Sequence, residues 1–334
     1  MPGLFYRLSA VIDPEERLED ACLSKAMHDH YQAGITILPP DATGPDEGVT
    51  FGRTKRYEAT KSMSFGGYEA YWQDPGFIHS VQREFASCDL DEAEKMVKHL
   101  HAAGKDVFIK SREQKLYNAS IPRGQKFHEV IGDMAFSFMD KPDCLLVQEY
   151  VEMRNERRFV VIDGKIATCS PVQTDLTPMS RAALFEDAGV LLEDIHFSTP
   201  TSRDWTHDPG LTREMYDHAE EVIAHATTKN MILDLATVGD RAEVIEYNPM
   251  SPGMFGLFGC RPDKIAQASE ALLPEDLFKE VLARRESGVP LPAPDQAPSR
   301  SPASFILKGL KEEEDAEFED VEEIEFDDDD LPGP

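Results

Sequence analysis

MILDLATVGDRAEVIEYNP, residues 231–249, holds two apolar runs on either side of Gly239-Asp240. A Gly-Asp pair between such runs favours a two-residue hairpin turn, so the segment reads as two antiparallel strands, Met231 to Val238 and Ala242 to Tyr247. Folding about the turn sets Asp234 opposite or diagonal to Glu246. Alternation puts Glu246 and Asn248 on one face, two residues apart. Two carboxylates and an amide oxygen thus converge at one end of a hairpin. Hard oxygen ligands of that kind suit Mg²⁺, which keeps several waters and completes its shell with phosphates. Two apposed carboxylates with no cation between them repel, which also argues for one. The same spacing fits solvent-facing charges on an exposed sheet face, and the hairpin alone leaves both readings open.

Working outward, a second hairpin precedes the first. Arg158 to Ile162 and Lys165 to Ser170 flank Asp163-Gly164. Cys144 to Tyr150 (CLLVQEY) is apolar on both faces and reads as an interior strand. Asp106 to Lys110 and Gly34 to Leu38 are further short strands. Helices are expected over Pro14 to Tyr31, Asp91 to Ala103, Thr212 to Thr227, Pro262 to Leu272 and Pro274 to Arg285; the second ends at Gly104. Strand hairpins mixed with helices give an α+β class rather than a regular βαβ series. The chain contains no GxGxxG and no GxxxxGK[ST], so dinucleotide-fingerprint and P-loop readings lack a motif.

Charge narrows the function classes. The 63 acidic residues outnumber 34 basic ones, for a net charge of −29. Non-specific binding to nucleic acid or to an anionic membrane is disfavoured. No run of 18 apolar residues is present, and the N-terminus lacks the features of a secretory signal. Five scattered cysteines without a CxxC pair suit free thiols in a reducing cytoplasm. Residues 287–304 hold five prolines and read as a linker. Beyond it, 14 acids crowd residues 312–330, so 305–334 reads as a disordered tail. It is either a solubilising segment, an acidic–hydrophobic motif (Phe318, Val321, Ile324, Phe326) that orders on a protein partner, or a flap over a cationic site.

Other residues can carry chemistry. Lys110 ends a buried strand, where it is a point charge for a phosphate or a snorkelling lysine. Lys115 and Arg123 lie in a polar stretch that either covers phosphates or is plain surface loop. The polar residues after CLLVQEY offer backbone groups to an adenine edge, and Glu152 is spaced for a sugar hydroxyl. Arg158 opens the next strand and faces a phosphate or a carboxylate. His28 and His30, two apart on a helix, do not share a face and read as a solvated helix end. Phe65, Tyr68, Tyr71 and Trp72 read as packing residues ahead of a ligand stack. Residues 253–259 (GMFGLFG) pack on the nucleotide site or line an acceptor pocket.

Taken in order, this series resembles the ATP-grasp superfamily over about residues 95 to 285. The resemblance implies two α+β subdomains clasping ATP, here with a small N-terminal α/β region. It implies Lys110, Lys115 and Arg158 at the phosphates and Gln148-Glu149-Tyr150 with Val151 and Glu152 as the adenine hinge. It implies Mg²⁺ held by Asp234, Glu246 and Asn248, with Lys110 and Arg158 catalytic. The step from Asp234 to Glu246 and the ExNP ending are similar to the glutamate-adding and ribosomal-protein-modifying ligases of that superfamily. Two features depart from its pattern: residues 111–124 hold a single glycine, and Glu156 stands where Asp is usual. The implied organisation is an N-terminal region 1–94, an ATP-grasp domain 95–286, the linker and the tail. The implied activity is a cytoplasmic, carbon–nitrogen bond-forming ligase using ATP, a carboxylate and an amine. The alternatives are a protein-binding or assembly module on the same scaffold and a kinase with a hydroxyl acceptor.

Overall fold

The structure, a computed structural model, describes residues 3–8, 14–31, 34–39, 48–52, 68–112, 117–139, 141–173, 176–178, 209–248 and 256–287. Lys115, Phe65, residues 179–208 and the expected tail lie outside these residues, as does all of the expected linker but Ser287. The described residues form three sheets with helices between them, the α+β class expected from the sequence.

The N-terminal sheet contains β1 (Gly3–Arg7), β2 (Ile35–Leu38) and β3 (Gly48–Gly52), in the order β2-β1-β3 and parallel throughout. Parallel neighbours need a crossover, and α1 (Pro14–His30) supplies it between β1 and β2. The βαβ unit formed here is the small N-terminal α/β region that the resemblance implies. The strand GLFYR is too short to show a period, and that is why it escapes a sequence reading.

The second sheet joins β4 (Phe85–Cys88), β5 (Val107–Ser111), β6 (Asn118–Ile121) and β7 (Leu145–Glu149), antiparallel in the order β4-β7-β5-β6. β7 lies between β4 and β5, as its two apolar faces require. Because β4 pairs with β7, this sheet draws on residues that precede 95. α2 (Leu90–Ala102) opens on a capping box between Asp89 and Glu92 and buries Ala93, Val97 and Leu100 in the core of this sheet. Gly104, at φ 79°, lets the chain turn back toward β5.

The third sheet has β8 (Arg154–Ile162), β9 (Lys165–Pro171), β10 (Met231–Val238) and β11 (Arg241–Asn248), antiparallel in the order β11-β10-β8-β9. Both expected hairpins are present. β8 is longer than its apolar core, because its polar start pairs with β10 as far as Arg154. Leu233, Leu235 and Val244 pack with Met215, Ala219 and Val222 of one helix, Pro209–His225, together with Phe77 and Tyr71. Val160, Ile162 and Ile232 pack instead with the N-terminal sheet and with the helix Pro262–Ala268. The third sheet is thus filled on both sides, and its polar end is set beside the second sheet. His30 is no solvated helix end: its Nε2 lies 2.7 Å from Glu270, which also binds Arg285 at 2.6 Å.

Candidate active site

Three neighbouring strands put their charges in one transverse row. The register sets Arg158 of β8 beside Asp234 of β10, and Asp234 beside Glu246 of β11. Arg158 grips Asp234 through two hydrogen bonds, Nε to Oδ1 at 2.9 Å and Nη2 to Oδ2 at 2.8 Å. Such a fork is stronger and more directional than a single ion pair. Asn248 stands two residues along β11, and its Nδ2 donates to Asp234 Oδ2 at 2.7 Å and to Glu246 Oε1 at 2.8 Å. The three residues expected at the hairpin end are therefore in mutual contact. Asp234 is only 1% exposed, so the reading as solvent-facing charge fails for it.

Lys110 comes from the second sheet and closes the row. Its ammonium pairs with Glu246 and lies 5.5 Å from the centre of the Tyr71 ring. Tyr71 and Trp72 are core residues, as the packing reading has it. Burial pushes the Lys110 ammonium down to about 8; the Asp234 carboxylate pulls it back up, and Arg83 pushes it further down. Burial also works against the Arg158 charge, but the hydrogen bonds and charge of Asp234 outweigh it and raise its pKa. The two carboxylates expected to repel one another are thus each faced by a cation of the chain.

The expected hinge is only partly free to act through side chains. Gln148 is buried and accepts from Arg83 Nε at 2.9 Å. Glu149 meets Lys105 at 3.0 Å on the surface, and Tyr150 is half exposed. The Tyr150 N–H is used by the Asp106 carbonyl at 2.8 Å. Glu152 binds Arg154 at 2.7 Å, and both are exposed. Val151, next to it, is partly buried. Arg123 pairs with Asp106 at 3.2 Å at the surface, away from the row's partners.

A short loop leans on the row from the other side. Gly256 O accepts from Arg158 Nη1 at 3.0 Å, and the Phe258 ring lies 5.2 Å from the Arg158 guanidinium. Gly256 has φ 50°, and a Cβ there would sit 2.7 Å from that nitrogen. The N–H of Leu257 donates to Glu19 of α1 at 2.5 Å. Burial raises the Glu19 carboxyl to about 7, although the Leu257 N–H and the Arg158 charge favour its anion. No sequence signal singled out Glu19 or Arg83. Glu19 sits in an ordinary helical pattern, and Arg83 sits in a short connector.

No protein-family model matches the sequence, and no curated protein resembles it in sequence. The solved structures it resembles include ATP-grasp proteins. "RimK domain protein ATP-grasp" from Sphaerobacter thermophilus shares 15% identity at a TM-score of 0.48, over 80% of this chain and 99% of that one. D-alanine–D-alanine ligase from Bacillus anthracis, complexed with ATP, shares 9% identity at 0.48, over 86% and 99%. D-alanyl-alanine synthetase A from Vibrio cholerae shares 12% at 0.47, over 81% and 99%. At these scores they stand as likenesses, and the reading of the site rests on the chain's own geometry.

The donor chemistry fits a hard divalent cation. Asp234 and Glu246 offer carboxylate oxygens a hydrogen bond away from one amide. Rotating the Asn248 amide by half a turn would put its oxygen where its NH₂ now stands, and the two orientations have the same shape. In the present orientation the NH₂ bridges both carboxylates; in the other, all three groups would offer oxygens to a cation. Among the described residues no group of three or more His, Cys, Asp or Glu side chains is placed to hold a metal, so any cation here relies on two carboxylates, one amide and ligands from outside the chain. Among the described residues no helix is long and apolar enough to cross a membrane.

Proposed function

We propose that the chain is an ATP- and Mg²⁺-dependent ATP-grasp enzyme that joins a carboxylate to an amine through an acyl phosphate. The observation that carries this reading is the row Arg158–Asp234–Glu246 with Asn248, closed by Lys110 from the facing sheet. It supplies two cations and a hard-oxygen ligand set within one cluster built around the buried Asp234 and Asn248. Phosphoryl transfer asks a protein chiefly for positioning and charge neutralisation, and such a cluster offers both.

Asp234, Glu246 and Asn248 would hold Mg²⁺, which supplies charge neutralisation at the phosphates when bound. Lys110, which reaches the row from the facing sheet beside Glu246, would meet a phosphate oxygen. Arg158, held in orientation by Asp234 and Gly256, faces the same charge. A substrate carboxylate oxygen attacks the γ-phosphorus, and the bond to the β–γ bridging oxygen breaks to release ADP. The amine nitrogen then attacks the acyl carbon, phosphate leaves, and the amine gives up a proton. No nucleophilic side chain is needed. The hinge role assigned to Gln148 through Glu152 would then fall chiefly to the backbone of 151–152, since the side chains of Gln148, Glu149 and Glu152 and the N–H groups of Glu149 and Tyr150 are already engaged. Lys115 would add charge at the phosphates, and a division placed before β4 rather than at residue 95 would separate the acceptor region from the nucleotide domain, because β4 pairs with β7.

The test is product chemistry. Purified protein is incubated with Mg·ATP and arrays of carboxylates and amines, and ADP, phosphate and amide are measured together. Equal amounts of all three support the ligase. ADP with a phosphate ester and no free phosphate would show a hydroxyl acceptor instead. No ATP consumption with any mixture would overturn the enzyme reading.

A further inference from the structure

Arg83 donates to four acceptors in two sheets, and it belongs to none of the motifs. It lies between the short helix Pro75–Ser80 and β4, with its side chain 1% exposed. Its Nε donates to Gln148 Oε1 at 2.9 Å, and its Nη1 donates to Glu243 Oε1 at 2.8 Å. Its Nη1 also donates to the Val244 carbonyl, and its Nη2 to the Ile245 carbonyl at 3.0 Å. Gln148 is the last residue but one of β7 in the second sheet. Glu243, Val244 and Ile245 belong to β11 in the third.

The place of contact on β11 matters. β11 is an edge strand, so the carbonyls on its outer side have no strand to bond. The register also slips here: Asp234 pairs with Glu246 but Leu235 pairs with Val244, which leaves Ile245 without a partner on β10. This is a β-bulge, a device that re-aims the neighbouring side chain. That neighbour is Glu246. Arg83 holds the bulged residue by its carbonyl and the preceding carbonyl as well. Glu243, wholly buried, neutralises it and accepts from the N–H of Gln82 at 3.0 Å.

We infer that Arg83 is a positioning residue: it fixes the bulge that aims Glu246 and ties it to the end of β7, so that the two ends of one Mg·ATP molecule find their partners at a set separation. This rests on the proposed nucleotide site. Only a planar fork with five N–H groups reaches all four acceptors, and a lysine cannot.

The experiment is calorimetric titration of the full chain, wild type and Arg83→Lys, with two probes. Adenosine reads the hinge alone; Mg·ATP reads hinge and carboxylates together. Asp74→Asn is the structural control. Asp74 caps the helix Pro75–Ser80 and binds Thr227 and Thr228, and it touches no residue of the row. The expected result is at least a tenfold loss of Mg·ATP affinity in Arg83→Lys with less than a threefold change for adenosine, while Asp74→Asn lowers the melting temperature and leaves both affinities in place. Equal, small effects of Arg83→Lys on both probes, or the same pattern in Asp74→Asn, would overturn the inference. If Arg83→Lys does not fold, Glu243→Gln, which keeps the shape of the pair, is read by the same criteria. A wild type that binds no Mg·ATP removes the nucleotide reading and this inference with it; a wild type that binds, with an unaffected variant, removes this inference alone.

Discussion

The two sheets that meet at the site handle charge in opposite ways. In the sheet of β8 to β11, Asp234 is held on both oxygens by Arg158 and again by Asn248; Asp234 and Asn248 are buried and Arg158 is nearly so. In the sheet of β4 to β7, Lys105 lies 3.0 Å from both Glu84 and Glu149, but all three stand at the rim, a quarter to two fifths exposed. Water and salt screen the second set and scarcely reach the first. A buried pair costs desolvation of both ions, so keeping one is weak evidence for stability and better evidence for a need of charge at that place. The difference favours the third sheet as the seat of the proposed chemistry, with Lys110 joining the row from the second sheet.

That contrast can be broken most forcefully at Asp234. Asp234→Ala leaves the Arg158 guanidinium buried without its carboxylate, and denaturant unfolding should show a loss of about 3–5 kcal/mol. A loss no larger than that of a surface substitution would place Arg158 in water and end the contrast. Glu19 sharpens it through pH. Its folded pKa, about 7, lies above the usual glutamate range. The native state therefore binds more protons between that range and pH 7. Stability is greatest below the window and falls as pH rises through it. Glu19→Gln removes this slope and should be more stable than wild type at pH 8, by on the order of 3 kcal/mol. Parallel stability–pH curves for the two proteins would contradict the burial argument.

Gly256 gives a smaller effect. With φ at 50° and Arg158 Nη1 in the way, Gly256→Ala should cost about 1–2 kcal/mol and lower Mg·ATP affinity by moving Arg158. Unchanged melting and binding would show that the loop does not brace the arginine. Lys105→Ala comes last: thermal melting and nucleotide affinity should not change measurably. A clear loss of affinity would give the rim of the second sheet a role that its exposure argues against.

How far the site could be read from the chain depended on the range of each interaction. Asp234, Glu246 and Asn248 lie on one hairpin, and its turn and alternation dictate their meeting. β8 and Arg158 follow from the next hairpin. The interior place of β7 follows from its two apolar faces. What could not be read was long-range. Arg83 reaches 160 residues along the chain to Glu243, and Glu19 reaches 238 residues to Leu257, with no pattern in either neighbourhood. β1 and β3 are five residues each and owe their existence to pairing with one another. The bulge at Ile245 likewise becomes visible only once the register of β10 and β11 is known.

The most direct test of the central claim is calorimetric titration of ATP, with and without Mg²⁺, into wild type and an Asp234→Asn/Glu246→Gln double variant. The account predicts Mg²⁺-dependent binding in the wild type and its loss in a double variant that remains folded. Binding of equal strength in both proteins, or none in the wild type, would contradict it.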